Sequence, residues 1–321
     1  MVLEVSYVGS RTYQERVRRA GGDGIQIGDI PYDVRLQAIA SPNFYNEPLP
    51  NPYLGILPSN SDWGAPTTIN RNNLLRQIPL FNGVRNNTFI GGSVWYNALQ
   101  IRFEKRAFSD RRAGALTWVV SYTFAKQMER LLRNDWNVPQ EKFVSQITDI
   151  DRPQQLSFSG VWDLPLGKGR KFSIENRLLN GILGNWNYNW ALTYYSGTAT
   201  GKPDAVFSCG SYVANDRSLT RWFENRKECY IQRPPYSFRE VEERFGNIRN
   251  PTAPQLNMAV AKRFRMGENY EVEFRGESFN TTNTPIYAPP PTDFNGNDFG
   301  RVPIQQYNFP RQVQLALRFR F

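Results

Sequence analysis

The chain has 321 residues, a formal net charge of +10 and a mean hydropathy of −0.56. The low hydropathy excludes a bundle of transmembrane helices, but it is compatible with membrane-spanning β-strands, in which only every second residue has to be apolar. No dense Lys/Arg block accompanies the positive charge, and basic residues stand beside acids, as at residues 103–106. The sequence therefore predicts no nucleic-acid partner.

Eight segments alternate apolar and polar side chains with a period of two, which is typical of β-strands. Aromatic residues make up 14% of the chain, which suits the aromatic girdles of membrane barrels. In chain order, the predicted strands comprise residues 2–8, 94–106, 115–125, 154–164, 185–195, 256–264, 269–279 and 312–321. The seventh carries Glu271, Glu273 and Arg275 on one face, which would be costly in a soluble sandwich unless it met water and is easily explained in a polar lumen.

The last strand is the most informative, because its apolar face reaches the final residue. Leu315, Leu317, Phe319 and Phe321 share that face, whereas Arg318 belongs to the opposite one. An unprotected apolar edge of this kind invites aggregation in a soluble domain. In a membrane barrel it faces lipid, and it resembles the terminal signal that outer-membrane proteins present to the barrel-assembly machinery.

The connections between the predicted strands alternate in length, with shorter ones at one end of the sheet and longer ones at the other. The shorter connections are residues 107–114, 165–184 and 265–268. The longer connections are residues 10–93, 126–153, 196–255 and 280–311. This asymmetry predicts an antiparallel transmembrane β-barrel of the bacterial outer membrane, with short periplasmic turns and long extracellular loops.

The longer connections are rich in Pro, Asn, Gly and Arg, so we expect surface segments rather than core. Their aromatic residues could stack on a sugar or an aromatic solute, or they could pack within the loops. These residues are Trp136, Tyr212, Trp222 and Tyr230.

The sequence offers no catalytic constellation. Histidine is absent, which excludes a Ser-His-Asp triad and removes the most common metal ligand. Asp149 and Asp151, with Asp135 upstream, could form a carboxylate pair or a calcium site, although a solvated turn is favoured. Residues 167–169, Gly-Lys-Gly, lack the spacing of a phosphate-binding loop. We expect a protein that is not an enzyme, with no catalytic residue, cofactor or metal site.

The only two cysteines, Cys209 and Cys229, lie twenty positions apart in a polar segment. A disulfide across a loop in an oxidising compartment is the favoured interpretation. A pair of free, unrelated thiols is the alternative.

Short motifs along nearly the whole chain resemble the C-terminal barrel portion of TonB-dependent outer-membrane receptors, in the group with a carboxypeptidase-regulatory-like N-terminal domain. They include Ser-Tyr-Val-Gly-Ser at 6–10, Tyr-Asn-Ala-Leu-Gln at 96–100, Asp-Leu-Pro-Leu-Gly-Lys-Gly at 163–169, Phe-Gly-Asn-Ile-Arg-Asn at 245–250 and Phe-Arg-Gly-Glu-Ser-Phe-Asn at 274–280. The resemblance implies energised uptake of a scarce solute: a siderophore, cobalamin, a glycan or a peptide. It also implies a plug domain and TonB as partners, with outer-membrane lipid around the barrel.

The chain departs from this family in its size. A full receptor has a plug, a TonB box and about 22 strands, whereas we predict about eight strands of such a barrel in one partial-barrel domain over residues 1–321. The N-terminus lacks the features of a signal peptide, so we expect an exported chain to be missing its beginning. Two alternatives remain: a stand-alone small barrel that acts as an adhesin or envelope anchor, and a soluble carbohydrate-binding β protein.

Overall fold

The computed structural model describes residues 1–16, 18–19, 22–23, 25–26, 29–41, 43–81, 84–88, 90–106, 114–132, 143–234, 237–266 and 270–321. Eight long strands dominate these residues. They are β1 (Val2–Arg16), β2 (Ile90–Lys105), β3 (Leu116–Leu132), β4 (Gln154–Asp163), β5 (Trp186–Tyr195), β6 (Gln255–Met266), β7 (Tyr270–Phe279) and β8 (Gln312–Arg320).

The eight strands form one antiparallel sheet in which each long strand pairs with the next long strand along the chain, and the short strand Phe143–Ile147 pairs with β3 as a ninth member. This up-and-down order confirms the predicted fold class. Across the described residues, β1 and β8 each have a single neighbour, so the sheet is open and does not close into a barrel.

Register keeps the apolar and polar faces of the sheet separate. On one face Leu3 lies opposite Phe103, and Phe274 lies opposite Leu317. On the other face charged side chains pair across the strands; Glu273, for example, lies opposite Arg318. A one-residue slip would exchange the two faces, so the alternation fixes the register. The apolar face is open to the surroundings, with Leu317 74% exposed, as a lipid-facing sheet requires. We call the sheet of strands β1 to β8 the wall.

The first three strands are longer than the sequence predicted. β1 continues to Arg16, β2 begins at Ile90 and β3 continues to Leu132. Residues 10–16 carry polar side chains on both faces, so hydrophobic alternation could not reveal this extension. A membrane-spanning strand needs about 9–11 residues, so strands of 15, 16 and 17 residues are long enough to project beyond a membrane at this end, and we call the projecting part the rim. We call this end of the sheet the long-loop end, and the opposite end the short-turn end.

The extension of β3 corrects one predicted connection. Residues 133–153 are about as long as residues 164–185 at the short-turn end, so the expected difference in length does not hold for this pair. Most of the predicted turn at 107–114 and part of that at 265–268 lie outside the described residues.

Shorter elements occupy the connections. Three helices are α1 (Tyr32–Ala40), α2 (Arg71–Leu74) and α3 (Arg177–Leu183), and two 3-10 helices are Phe44–Asn46 and Lys227–Cys229. None of the helices in the described ranges is long and apolar enough to cross a membrane. The short strands are Arg18–Arg19, Gly22–Asp23, Ile25–Gln26, Pro48–Pro50, Thr68–Asn70, Arg85–Asn86, Phe143–Ile147, Ala199–Gly201, Val206–Phe207, Tyr230–Ile231 and Arg244–Arg249.

Candidate functional site

Two of the long connections fold together at the long-loop end. Residues 196–254, between β5 and β6, and residues 280–311, between β7 and β8, share a buried apolar core; we call them the loop module. Phe299 packs edge-on against both Phe223 and Tyr230, with ring centroids 5.3 and 4.9 Å apart. The buried members of this core are Ala205, Phe223, Cys229, Tyr230, Phe245, Ile248, Phe294 and Phe299. The expectation of surface segments rather than core is therefore wrong for these two connections.

A covalent link and a buried charge brace the loop module. The structure joins Cys209 to Cys229 by a disulfide, and Cys229 is fully buried in the apolar core. Nearby, the carboxylate of Glu224, only 5% exposed, accepts hydrogen bonds from Arg221 Nη2 at 2.7 Å and Arg226 Nε at 3.0 Å. Burial alone would raise the pKa of Glu224, but the bonds from Arg226 and Arg221 outweigh it and hold the pKa below its ordinary value.

Two ion pairs attach the loop module to the rim. Arg244 donates from Nη1 to Glu129 Oε1 at 2.7 Å, and Glu129 lies on β3 with 5% exposure. Arg249 donates from Nη1 to Asp151 Oδ2, also at 2.7 Å. Both acids belong to the β3–β4 region and both arginines to the strand Arg244–Arg249. The module is thus held to the wall by charge-assisted hydrogen bonds.

The placement of Asp151 corrects a sequence-based expectation. Asp151 does not lie in a solvated turn, because it is 1% exposed and also accepts a hydrogen bond from the backbone N–H of Gln127 at 2.6 Å. Asp149 is exposed beside it, and Asp135 lies outside the described residues. Across the described ranges, no group of three or more Asp, Glu, Cys or His side chains could hold a metal ion.

The loop aromatics are packed inward. Tyr230 is buried, and its hydroxyl donates to the backbone carbonyl of Glu224. Tyr212 stacks on Phe207 with centroids 3.9 Å apart, and Trp222 Nε1 donates to the carbonyl of Arg249 at 2.8 Å. Of the two uses considered from the sequence, packing within the loops is the one the structure shows for these three residues. Trp136 lies outside the described residues.

A cleft of about 420 Å³ opens between the loop module and the rim. Lys126 and Gln146 line it from the rim, and Lys202, Tyr212 and Arg244 line it from the module. Lys202 Nζ is 3.0 Å from Glu242 Oε2, so part of this charge is already paired. The lining offers hydrogen-bond donors for a polar solute, whereas the ring of Tyr212 is already stacked on Phe207.

A second polar cavity, of about 790 Å³, lies on the polar face of the sheet towards the short-turn end. Asn187 Nδ2 donates to Asp163 Oδ1 at 2.7 Å, and Arg263 Nε donates to Glu273 Oε2 at 3.0 Å. These groups pair with one another across neighbouring strands. The polar face can therefore meet water or a polar protein surface, as the lumen of a barrel does.

The structure places the terminal residues on the apolar face at the edge of the sheet. Leu315, Leu317, Phe319 and Phe321 are 70%, 74%, 54% and 93% exposed. Phe319 stacks on Tyr270 of β7 and on Phe321, with centroids 6.1 Å apart in both cases. They form an accessible apolar strip beside an unpaired strand edge.

The Gly-Lys-Gly sequence at 167–169 forms a turn. Gly167 and Gly169 have φ of +122° and +73°, conformations that favour glycine, and the backbone N–H of Lys168 donates to Asn180 Oδ1 at 2.8 Å. The N–H of Lys168 is therefore used within the β4–β5 connection itself.

Sequence reasoning missed the charged residues that organise these sites. Glu129 and Glu224 are buried and Arg244 is half-buried, and Glu129 and Arg244 meet across 115 positions, so no local pattern indicates that pair. Lys262 was also missed, although it leaves a signal, because it interrupts the apolar face of β6. The charged residues of the loop module do not lie in an alternating pattern that they could interrupt.

Comparison with known families gives one match. A family model described as an outer membrane beta barrel domain matches residues 1–314. No curated protein and no solved structure matched the chain.

Proposed function

Because the chain belongs to the outer membrane beta barrel domain family, we propose that it acts in TonB-dependent uptake of a scarce solute, as the C-terminal portion of a receptor barrel. Family membership places the chain in the bacterial outer membrane. It is inconsistent with the alternative of a soluble carbohydrate-binding protein.

The open sheet carries this proposal. In lipid, every backbone N–H and C=O group needs a hydrogen-bond partner, so the free edges of β1 and β8 must pair, either with each other or, as we propose, with further strands. A barrel enlarged in this way has room for a plug, as 22-stranded transporters do. The polar face, with its paired charges such as Arg263 and Glu273, suits contact with such a plug domain. A stand-alone eight-stranded adhesin or anchor would need β1 and β8 to pair.

The proposed mechanism is physical and not enzymatic. The cleft between the loop module and the rim receives the solute, and TonB, acting on the plug, drives its passage. Lys126, Lys202 and Arg244 line the cleft, but Lys202 is paired with Glu242 and Arg244 with Glu129, so the lining suits a polar solute without fixing the sign of its charge. A ferric siderophore, cobalamin, a glycan and a peptide all remain candidates, and no cofactor or metal site is part of this proposal.

Uptake can be tested in the native bacterium with the gene deleted. Uptake of labelled ferric siderophores, cobalamin, oligosaccharides and peptides is measured with and without a protonophore. We expect deletion to remove uptake of one solute class, and only its protonophore-sensitive part. Uptake that is unchanged for every class, or that is lost equally in energised and de-energised cells, would contradict the proposal.

The terminal strip supports a second partner, the barrel-assembly machinery. Phe321 is 93% exposed, so Phe321→Ala removes few internal contacts, yet we expect it to lower the amount of chain inserted in the outer membrane. Tyr307→Ala is the matched control, since Tyr307 is an 82% exposed aromatic residue within the loop module. Equal insertion of the two variants would argue against an assembly role for Phe321.

A further inference from the structure

The β4–β5 connection at the short-turn end contains a helix whose apolar face is largely exposed. In α3 the exposed fractions of Leu178, Leu179, Ile182 and Leu183 are 79%, 50%, 64% and 49%. Residues three and four positions apart adjoin on a helix surface, so these four side chains form one continuous apolar stripe. Exposing these apolar side chains to water would be unfavourable.

The helix is well formed despite its length. Asn176 caps it, because its side-chain oxygen accepts hydrogen bonds from the backbone N–H groups of Leu178 and Leu179 at 2.9 and 3.1 Å. At the other end the N–H of Gly184 donates to the carbonyl of Asn180 at 3.0 Å. The stripe is therefore held in a defined orientation.

Two side chains of the wall attach the C-terminal end of α3 to the lipid-facing side of the sheet. The carbonyl of Ile182 accepts hydrogen bonds from Trp186 Nε1 at 3.0 Å and from Lys262 Nζ at 2.9 Å. Trp186 and Lys262 are directly paired across β5 and β6, and Lys262 is also paired with Phe274 of the apolar face. α3 consequently lies against the outside of the wall and not over its lumen.

Lys262 fixes the depth of this arrangement. A cation on the lipid-facing side is unfavourable at the bilayer centre and tolerated near the interface. Lys262 is 3% exposed, and its Nζ lies within 6 Å of the rings of both Trp186 and Phe264. The helix end and this aromatic pair therefore mark the level of the membrane interface, where tryptophan is enriched.

The polar part of the same connection is basic. Lys168, Lys171 and Arg177 are exposed, and they outnumber Glu175, the single acid within residues 165–184. Short turns of outer-membrane barrels face the periplasm, so these cations lie at the level of phospholipid headgroups. Basic residues beside an apolar helix stripe are characteristic of helices that lie in the interface of anionic membranes.

We propose that α3 lies in the periplasmic leaflet of the outer membrane, with its apolar stripe among acyl chains, and that the basic turn binds anionic phospholipid headgroups. The continuity of the stripe with the lipid-facing wall and the excess of positive charge both favour a lipid over a protein partner. This inference rests on membership of the outer-membrane family and not on TonB-dependent uptake.

A single introduced cysteine tests the position of the stripe, since both native cysteines are in the disulfide. The full chain carrying Ile182→Cys is labelled with an environment-sensitive dye in vesicles of phosphatidylethanolamine and phosphatidylglycerol. We expect blue-shifted emission that is quenched by spin-labelled phospholipid. Glu175→Cys, on the polar side of the same connection, is the control and should give water-like emission. Water-like emission at position 182 in folded protein would overturn the proposal.

Headgroup binding is tested by comparing quenching at position 182 by spin-labelled phosphatidylglycerol and by spin-labelled phosphatidylcholine. Lys168 and Lys171 are replaced by Gln one at a time, and each change should lower the preference for the anionic lipid by about fivefold. Both residues are exposed on the turn, so the wall should fold normally. An unchanged preference would overturn the headgroup assignment. A blue shift that needs periplasmic extract instead of vesicles would replace lipid with a protein partner.

Discussion

Arg244 of the loop module donates a hydrogen bond to Glu129 of the wall over 2.7 Å, although 115 positions separate the two residues in the chain. Gln146 donates to the same oxygen at 2.9 Å, so one buried carboxylate oxygen links β3, the short strand Phe143–Ile147 and the loop module. The position of the module over the rim depends on this contact and on the parallel one between Arg249 and Asp151.

Replacing Glu129 with Gln should loosen the loop module. The change leaves Arg244 without its anionic partner, and breaking such a buried pair costs about 3 kcal/mol. We expect faster hydrogen exchange in residues 196–254 with little change in β6 and β7. Glu228→Gln is the control, because Glu228 is an exposed acid of the same module. Similar exchange in the two variants would show that the pair does not hold the module.

Glu224 should make the loop module sensitive to acid. Its pKa is lower in the folded protein than in the unfolded chain. Its contribution is therefore fully present above the ordinary carboxyl pKa of about 4.3, and it is lost as the pH falls through the lowered value. Glu224→Gln should cost about 2 kcal/mol at pH 7, and the difference from wild type should vanish in acid. Unfolding curves followed by tryptophan fluorescence, with Trp222 close to Glu224, measure the stability difference at pH 7 and at low pH. A difference that persists at low pH would contradict this account.

The disulfide should stabilise the loop module locally. Replacing both Cys209 and Cys229 with Ser opens a loop of about twenty residues, for which chain entropy predicts a loss of about 3 kcal/mol. We expect faster proteolysis within residues 205–235, while the sheet remains folded. Wild-type protein treated with reductant is a weaker perturbation, because Cys229 is fully buried. Equal proteolysis of the double variant and wild type would show that the aromatic core suffices.

A new positive charge should destabilise the sheet on the apolar face of β8 but not on its polar face. Leu315→Arg places a cation in lipid and should destabilise the wall by about 2–4 kcal/mol if it lies near the membrane midplane. Gln314→Arg adds the same side chain one residue earlier on the polar face, opposite Glu277, and should be nearly neutral. The folded fraction in lipid vesicles, measured against urea concentration, compares the two. Equal destabilisation would contradict the assignment of faces.

The eight strands could be predicted because alternation is a local signal that one buried or lipid-facing side imposes on every strand. The signal fails where both faces are polar, which is why the extension of β1 to Arg16 was missed. It also fails in the loop module, where Phe223 and Phe299 meet across 76 positions without any periodic spacing. Lys262 breaks the alternation of β6, and only the position of α3 above it explains why.

The shared core of the loop module has a mechanical consequence. The connections that contain Phe223 and Phe299 belong to different hairpins, yet their side chains fill one interior, so neither connection can swing independently. Any displacement at this end of the sheet would therefore move both connections together. It would also have to break the ion pairs that Arg244 and Arg249 form with Glu129 and Asp151. The two connections of the loop module therefore count as one mobile unit, not two.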